Sequence, residues 1–295
     1  MTPSFDHWMQ SNQRAVEDAL SVFLPPAEQR PTRLHQAMRY TALGGGKRVR
    51  PLLVFAAGAL SEADPELLAR AATAVEMIHV YSLVHDDMPC MDDDVLRRGK
   101  PTVHVQYDEA TALLVGDALQ TQAFSVLSEG NGDATRTLAM VRLLAKAAGS
   151  AGMCGGQAID LASVGKSLSL AELEQMHRLK TGALLRAAVF LGALCGKTLS
   201  ADEDAALETY ANAIGLAFQI IDDILDATAD STTLGKTAGK DATDGKPTYV
   251  SILGLEPSRQ LVDKLCAYAH AALVSFGSKA ERLHQIADLV VRRKA

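Results

Sequence analysis

None of the ten prolines lies between Pro101 and Pro247 of this 295-residue chain. A proline inside a helix costs about 3 kcal/mol, so long helices must avoid it. This interval is rich in Ala, Leu and other helix formers. Strand signals, meaning alternating β-branched and aromatic runs joined by Asn-Gly turns, are missing, and aromatic residues make up only 5%. A chain that is 48% hydrophobic and 22% charged can bury a large core, which excludes disorder. The expectation is all-α: one domain over 1–295, a bundle of about ten or more packed helices without internal repeat or linker.

Helix boundaries follow from local chemistry. Asp64-Pro65-Glu66 reads as an N-cap followed by a first-turn proline. Leu67, Ala71, Val75 and Ile78 continue at helical spacing until about Met88, because Pro89 disfavours continuation. Further helices are expected over Thr111–Leu127, Thr135–Ala148, Leu170–Leu194 and Ala201–Ala227. Thr228–Pro247, with three glycines, reads as a long loop, and two shorter helices should follow it.

Several function classes recede on composition. A net charge of −6 argues against nucleic acid as partner. The longest uncharged apolar stretch, near Ala187–Gly196, is about half a membrane span. Cys90, Cys154, Cys195 and Cys266 lie far apart without a CxxC pair, so neither a disulfide framework nor a zinc knuckle is indicated. Asp6 and Glu17 interrupt any secretory signal. A reduced, soluble, cytoplasmic protein is expected.

Two aspartate clusters stand out. The first is His85-Asp86-Asp87-Met88-Pro89-Cys90-Met91-Asp92-Asp93-Asp94, and the second is Gln219-Ile220-Ile221-Asp222-Asp223-Ile224-Leu225-Asp226. Each follows apolar helical sequence, Val80–Val84 and Ile214–Ile221, so both should project from helices facing a core. Asp222 and Asp226 share a helix face, with Gln219 one turn earlier on it. Asp86 and Asp92 would point about 240° apart on a continuous helix, so they converge only if Pro89 ends the helix and the chain curls back. Solvated helix faces also carry acidic runs, but two such runs on apolar helices favour hard-cation chemistry. Mg²⁺ binds through one or two carboxylates with substrate phosphates completing its shell, and no EF-hand loop is present.

Cations accompany the acids. Gly44-Gly45-Gly46-Lys47-Arg48-Val49-Arg50 is a glycine-rich basic loop before a helix, suited to backbone approach to phosphate. Arg97-Arg98 follow the first cluster directly, and Lys180-Thr181, Lys236 and Lys240 add further donors. Gly235-Lys236-Thr237 and Gly165-Lys166-Ser167 mimic a P-loop ending, but the required earlier glycine is Asp230 or Asp160. His79 and His85 form no metal pattern, and His79 alone would read as a core or helix-face histidine.

With Gly155-Gly156-Gln157 and Gly116-Asp117-Ala118-Leu119, these segments resemble the trans-type isoprenyl diphosphate synthases, specifically the bacterial farnesyl producers, from about Tyr40 to the end. The resemblance implies a helical bundle around a deep central cavity, a homodimer, and ionisation–condensation–elimination between an allylic diphosphate and isopentenyl diphosphate. It implies three Mg²⁺ ions, replaceable by Mn²⁺, on Asp86, Asp92 and Asp222, with Asp87 and Asp226 supporting. Arg97, Lys180 and Lys236 would complete the allylic diphosphate clamp. Lys47, Arg50, His79 and Arg98 would hold isopentenyl diphosphate beside the Gly46 backbone. The Thr181 hydroxyl and the Gln219 amide oxygen would face the carbocation. The Arg292-Arg293-Lys294 tail would fold over the second substrate.

Chain length is expected to be set by Tyr81, with Ser82 beside it. Tyr81 lies five residues before Asp86, about 7.5 Å deeper along the helix. Together with the Pro89-Cys90 expansion of the first cluster it resembles the bacterial farnesyl producers, although some geranylgeranyl synthases share the expansion and a geranyl product is a further alternative. A terpene cyclase of the same fold would be expected to lack Lys47, Arg50 and Arg98, and a non-catalytic partner subunit would be expected to have lost aspartates.

Overall fold

The computed structural model describes residues 4–130, 133–228 and 246–292. Its helices are α1 (Phe5–Phe23), α2 (Thr32–Ala42), α3 (Val49–Gly58), α4 (Pro65–Asp86), α5 (Val103–Gln106), α6 (Glu109–Ser128), α7 (Ala134–Ala148), α8 (Met153–Ser163), α9 (Leu170–His177), α10 (Ala183–Leu194), α11 (Ala201–Thr228), α12 (Tyr249–Leu253), α13 (Leu255–Ala272) and α14 (Glu281–Arg292). The helical expectation holds. Side chains at the starts fix the boundaries: Asp64 accepts from the Glu66 and Leu67 amides, Asp108 from Thr111 and Asp133 from Arg136. Ser169 and Glu172 close a reciprocal capping box at α9.

Helix α4 is the central post. Ala71, Ala72, Ala74, Val75, Met77 and Ile78 are fully buried, so apolar side chains cover it nearly all round. It packs against α3, α6 and α10. Helix α4 is long and apolar enough to cross a membrane by length and composition, but 61% of that window is buried inside the bundle. Helix α11 forms a second post against α10 and α13.

Three features depart from the sequence expectation. The helix read as continuous over Leu170–Leu194 carries a π-helical turn at Arg178–Gly182. Such a turn inserts one residue into the helical repeat, which hydrophobic periodicity does not register. A two-stranded antiparallel ribbon, β1 (Leu96–Arg97) with β2 (Lys100–Pro101), replaces what read as strandless chain. Arg98 and Gly99 both hold positive φ at its turn, 53° and 74°, and this primed-turn geometry suits a two-residue hairpin. After Pro247 there are three α-helices and a 3₁₀ segment, Val274–Ala280, instead of two helices.

A buried ion-pair network pins the basic loop to α4. Arg48, at the cap of α3, reaches Glu76 at 2.6 Å and Glu17 at 2.5 Å, and also donates to the Ala42 carbonyl. Glu76 is only 1% exposed. Removing one member strands the other charge in the core. Glu76→Ala should therefore lower the unfolding free energy by about 3–5 kcal/mol in urea titration. A loss below about 1 kcal/mol would mean that Arg48 escapes to solvent.

Candidate active site

The two aspartate clusters arrive at one cavity from two helices. A cavity of about 550 Å³ is lined by Asp86 at the end of α4 and by Asp222 on α11, a volume within the range of small-molecule sites. Arg50, His79, Tyr81, Ser82, Arg97, Arg98, Lys180 and Thr181 line it too. Met91, Met153, Leu161 and Phe218 supply apolar wall. A neighbouring cavity of about 360 Å³ is lined by Gly46, Lys47, Arg50, His79 and Arg98, with Phe218. The two spaces share Arg50, His79, Arg98 and Phe218.

The first cluster curls back as the proline requires. Helix α4 stops at Asp86, the Met91 and Asp93 amides donate to the Met88 carbonyl, and the Asp92 amide donates to the Asp86 carbonyl at 2.8 Å. This brings Asp92 beside Asp86, where its carboxylate also accepts from Lys246 at 3.1 Å. Asp87 is engaged differently from the supporting metal role expected of it. Its buried carboxylate takes the Arg97 guanidinium in a bidentate grip, with contacts of 2.8, 2.9 and 2.6 Å. Asp94 stands 3.7 Å from the same guanidinium. Part of the surplus acidity of this cluster therefore orients Arg97.

The hairpin places Arg98 on the other side, where it donates to the Gly45 carbonyl. Gly46, at φ 129°, lets this contact happen: a Cβ there would stand 2.7 Å from the Arg98 guanidinium carbon. Arg98 is thus held at the glycine-rich loop, next to Lys47 and Arg50.

On the opposite wall the π turn presents Lys180 and Thr181. Gly156 of α8 makes that possible, because a Cβ there would meet the Lys180 backbone nitrogen at 2.1 Å. Lys180 pairs at 2.5 Å with the buried carboxylate of Asp160, one turn further along α8. Thr181 donates its hydroxyl to the Gln219 amide oxygen at 3.1 Å. The Gln219 amide nitrogen donates to Asp223 at 2.9 Å, and the Tyr249 backbone amide donates to the other Asp223 oxygen at 2.8 Å. Asp223 thereby fixes which way the Gln219 amide points and ties α12 to α11.

Asp160 and Asp223 are additions to which the sequence reading gave no role. Asp223 sits inside the second cluster, but helix periodicity alone does not say which of two adjacent acids turns inward. Asp160 belongs to no short pattern, and its role follows only from α8 crossing the π turn. Lys236 lies outside the described residues, as do the tail residues Arg293 and Lys294.

The electrostatics separate two ends. Burial raises the Asp86 carboxyl to about 6, Lys180 and Arg97 oppose the rise, and Asp92 and Asp87 add to it. Burial, and after it the charges of Arg50 and Arg98, hold His79 well below the ordinary histidine range, so it is neutral at pH 7. Oδ1 of the buried Asp226 has no hydrogen-bond partner among the described residues, and neither do the two buried amide atoms of Gln157. Among the described residues, no three carboxylates of the two clusters close into a compact cage. Separated, partly unsatisfied carboxylates fit Mg²⁺, which keeps open positions for phosphate oxygens, better than Ca²⁺.

Comparison with known proteins agrees with this geometry. The polyprenyl synthetase family model matches residues 31–274. A probable farnesyl diphosphate synthase from Bradyrhizobium diazoefficiens is 51% identical over 282 residues, covering 95% of this chain and 85% of that protein. The crystal structure of an FPP/GFPP synthase from Zymomonas mobilis has a TM-score of 0.88 at 44% identity, covering 97% of this chain and 98% of that one. A Helicobacter pylori geranyltransferase, solved with magnesium and isoprenyl diphosphate, has a TM-score of 0.85 at 30% identity, covering 99% and 97%. The chain belongs to the polyprenyl synthetase family.

The raised pKa of Asp86 has a measurable consequence. Folded Asp86 holds its proton more tightly than unfolded Asp, so stability falls as pH rises from about 4 toward about 6. In metal-free buffer, Asp86→Asn should stabilise the protein at pH 7.5 by about 1 kcal/mol, and the gain should shrink at pH 5. A gain of equal size at both pH values would contradict the assignment.

Proposed function

We infer that this chain is a prenyltransferase of the farnesyl diphosphate synthase type. It joins isopentenyl diphosphate to dimethylallyl diphosphate and then to geranyl diphosphate. The observation that carries this reading is the paired cavity: one space holds Asp86 and Asp222 together with cations, and the other is lined mainly by cations, Lys47, Arg48, Arg50 and Arg98, with Glu76 engaged by Arg48. The relatives described above are synthases of this kind.

Asp86, Asp92 and Asp222, with Asp226 in support, would hold Mg²⁺, in three copies on the resemblance. When bound there, the metal would supply Lewis-acid chemistry, offsetting the charge that develops on the leaving diphosphate. Arg97 and Lys180 are preset by Asp87 and Asp160 to complete that grip, and Lys236 is proposed to join them. Lys47, Arg50 and Arg98 hold the second diphosphate, with neutral His79 as a hydrogen-bonding partner and the Gly46 backbone alongside. The tail that begins at Arg292 is proposed to close over this substrate.

The chemistry follows from that placement. The allylic C1–O bond breaks and its electron pair leaves with diphosphate. The Met153, Leu161 and Phe218 wall excludes water from the allylic cation. The Thr181 hydroxyl oxygen and the Gln219 amide oxygen direct partial negative charge toward it. The isopentenyl double bond attacks C1 through its C4, and the C2 proton passes to the departing diphosphate as a new double bond forms. No side-chain base is required. The basic rim favours this condensation over a cyclase, which has no second diphosphate to hold. For the proposed homodimer, exposed Val105, Leu113 and Leu114 on α5 and α6 offer an apolar face.

Tyr81 is 8% exposed and packs edge-on against His85, with ring centroids 5.9 Å apart. Ser82 beside it turns its hydroxyl to the His79 carbonyl at 2.8 Å. We assign the pair as the floor that stops elongation. With Mg²⁺, isopentenyl diphosphate and dimethylallyl or geranyl diphosphate, product analysis should return farnesyl diphosphate, and Tyr81→Ala should return longer chains. Hydrocarbon from farnesyl diphosphate alone, with no condensation product, would overturn the reading. An unchanged product spectrum in Tyr81→Ala would remove Tyr81 as the floor.

A further inference from the structure

A cluster of thiol, imidazole and carboxylate side chains lies on helices α13 and α14, outside the diphosphate cavities. Cys266 and His270 are one helical turn apart on α13, and His284 and Asp288 are one turn apart on α14. The two helices pack against each other, so the four side chains meet. Nε2 of His270 lies 3.2 Å from the Asp288 carboxylate. Donor atoms of Cys266, His270 and Asp288 all lie within 4.8 Å of one another. On its other side, Nδ1 of His270 faces Nδ1 of His284 at 2.6 Å, with the rings nearly parallel.

We propose that Cys266, His270 and Asp288 form a binding site for a borderline-soft divalent ion such as Zn²⁺, with His284 positioning the His270 ring. The contact between two ring nitrogens needs one proton between them. When His270 supplies it from Nδ1, its Nε2 lone pair is directed at the Asp288 carboxylate. Two acceptors then face each other, and a cation between them relieves the clash. A metal-ligating histidine commonly donates its other ring N–H to an outer acceptor that fixes its tautomer, and here the His284 ring takes that place. Thiolate, imidazole and carboxylate together suit Zn²⁺ and exclude Mg²⁺. Tetrahedral donors around Zn²⁺ stand about 3.5 Å apart, so side-chain rotation of about 1 Å closes the set. Side-chain exposures of 34% for His270 and 42% for Asp288 leave a route for the ion and room for water as fourth ligand. Metal binding replaces the thiol proton of Cys266, which passes to solvent. The bound ion would staple α14 to α13.

Cobalt substitution tests this on the full-length protein with Mg²⁺ in excess. Co²⁺ should develop a thiolate-to-metal charge-transfer band that persists in Asp222→Asn. Cys266→Ser should abolish the band, and His270→Gln should weaken Co²⁺ binding more than about tenfold. Saturating Zn²⁺ should raise the Tm of the parent protein but not of Cys266→Ser. Absence of the thiolate band, or an equal band in a folded Cys266→Ser protein, would overturn the proposal. Cys266→Ser, His270→Gln and the parent should also show equal prenyl transfer without Zn²⁺, which separates this site from the diphosphate cavity.

Discussion

Like charges cannot share an apolar hollow without a cation between them. Asp86 and Asp222 come from separate helices into one cavity walled in part by Met153, Leu161 and Phe218, and burial makes charge costly at Asp86. The raised pKa of Asp86, which burial makes a weaker acid, is the signature of that cost. Under the proposed function, a divalent ion bound beside Asp86 would relieve that cost. Helices α4 and α11 serve as posts that hold the acids at the cavity in the protein alone.

The basic groups are prepared by acids of their own. Asp87 sets Arg97, Asp160 sets Lys180, and Glu76 with Glu17 immobilises Arg48 so that Lys47 and Arg50 flank a fixed loop. Preorganised donors of this kind cost no rearrangement when charge develops on a leaving group. The hairpin separates the two adjacent arginines, sending Arg97 to Asp87 and Arg98 to the Gly45 carbonyl. Two neighbouring cations are thus anchored by different partners, and under the proposed function they would attend two different diphosphates.

Much of this was readable before the fold. The proline-free interval and the capping residue Asp64 give helices such as α4, α6 and α7, whose ends lie within a few residues of those observed. Pro89 forces the turn that returns Asp92 to Asp86. Among the described residues, the singled-out cations Lys47, Arg50, Arg97, Arg98 and Lys180 each line one of the two cavities. The unread parts depend on contacts between distant segments. The π turn under Lys180 needs Gly156 across the interface, and the Arg98-Gly99 turn forms a strand pair too short to show a period. The Thr181–Gln219–Asp223 chain joins positions brought together only by packing. The α13–α14 site likewise consists of two ordinary-looking i, i+4 pairs until the helices meet.

Calorimetric titration with a non-hydrolysable bisphosphonate tests the shared grip most directly. Binding should require Mg²⁺, and it should collapse when either Asp86 or Asp222 alone is changed to Asn. Metal-independent binding, or full affinity after the loss of one wall, would contradict the view that both helices hold a single diphosphate through magnesium.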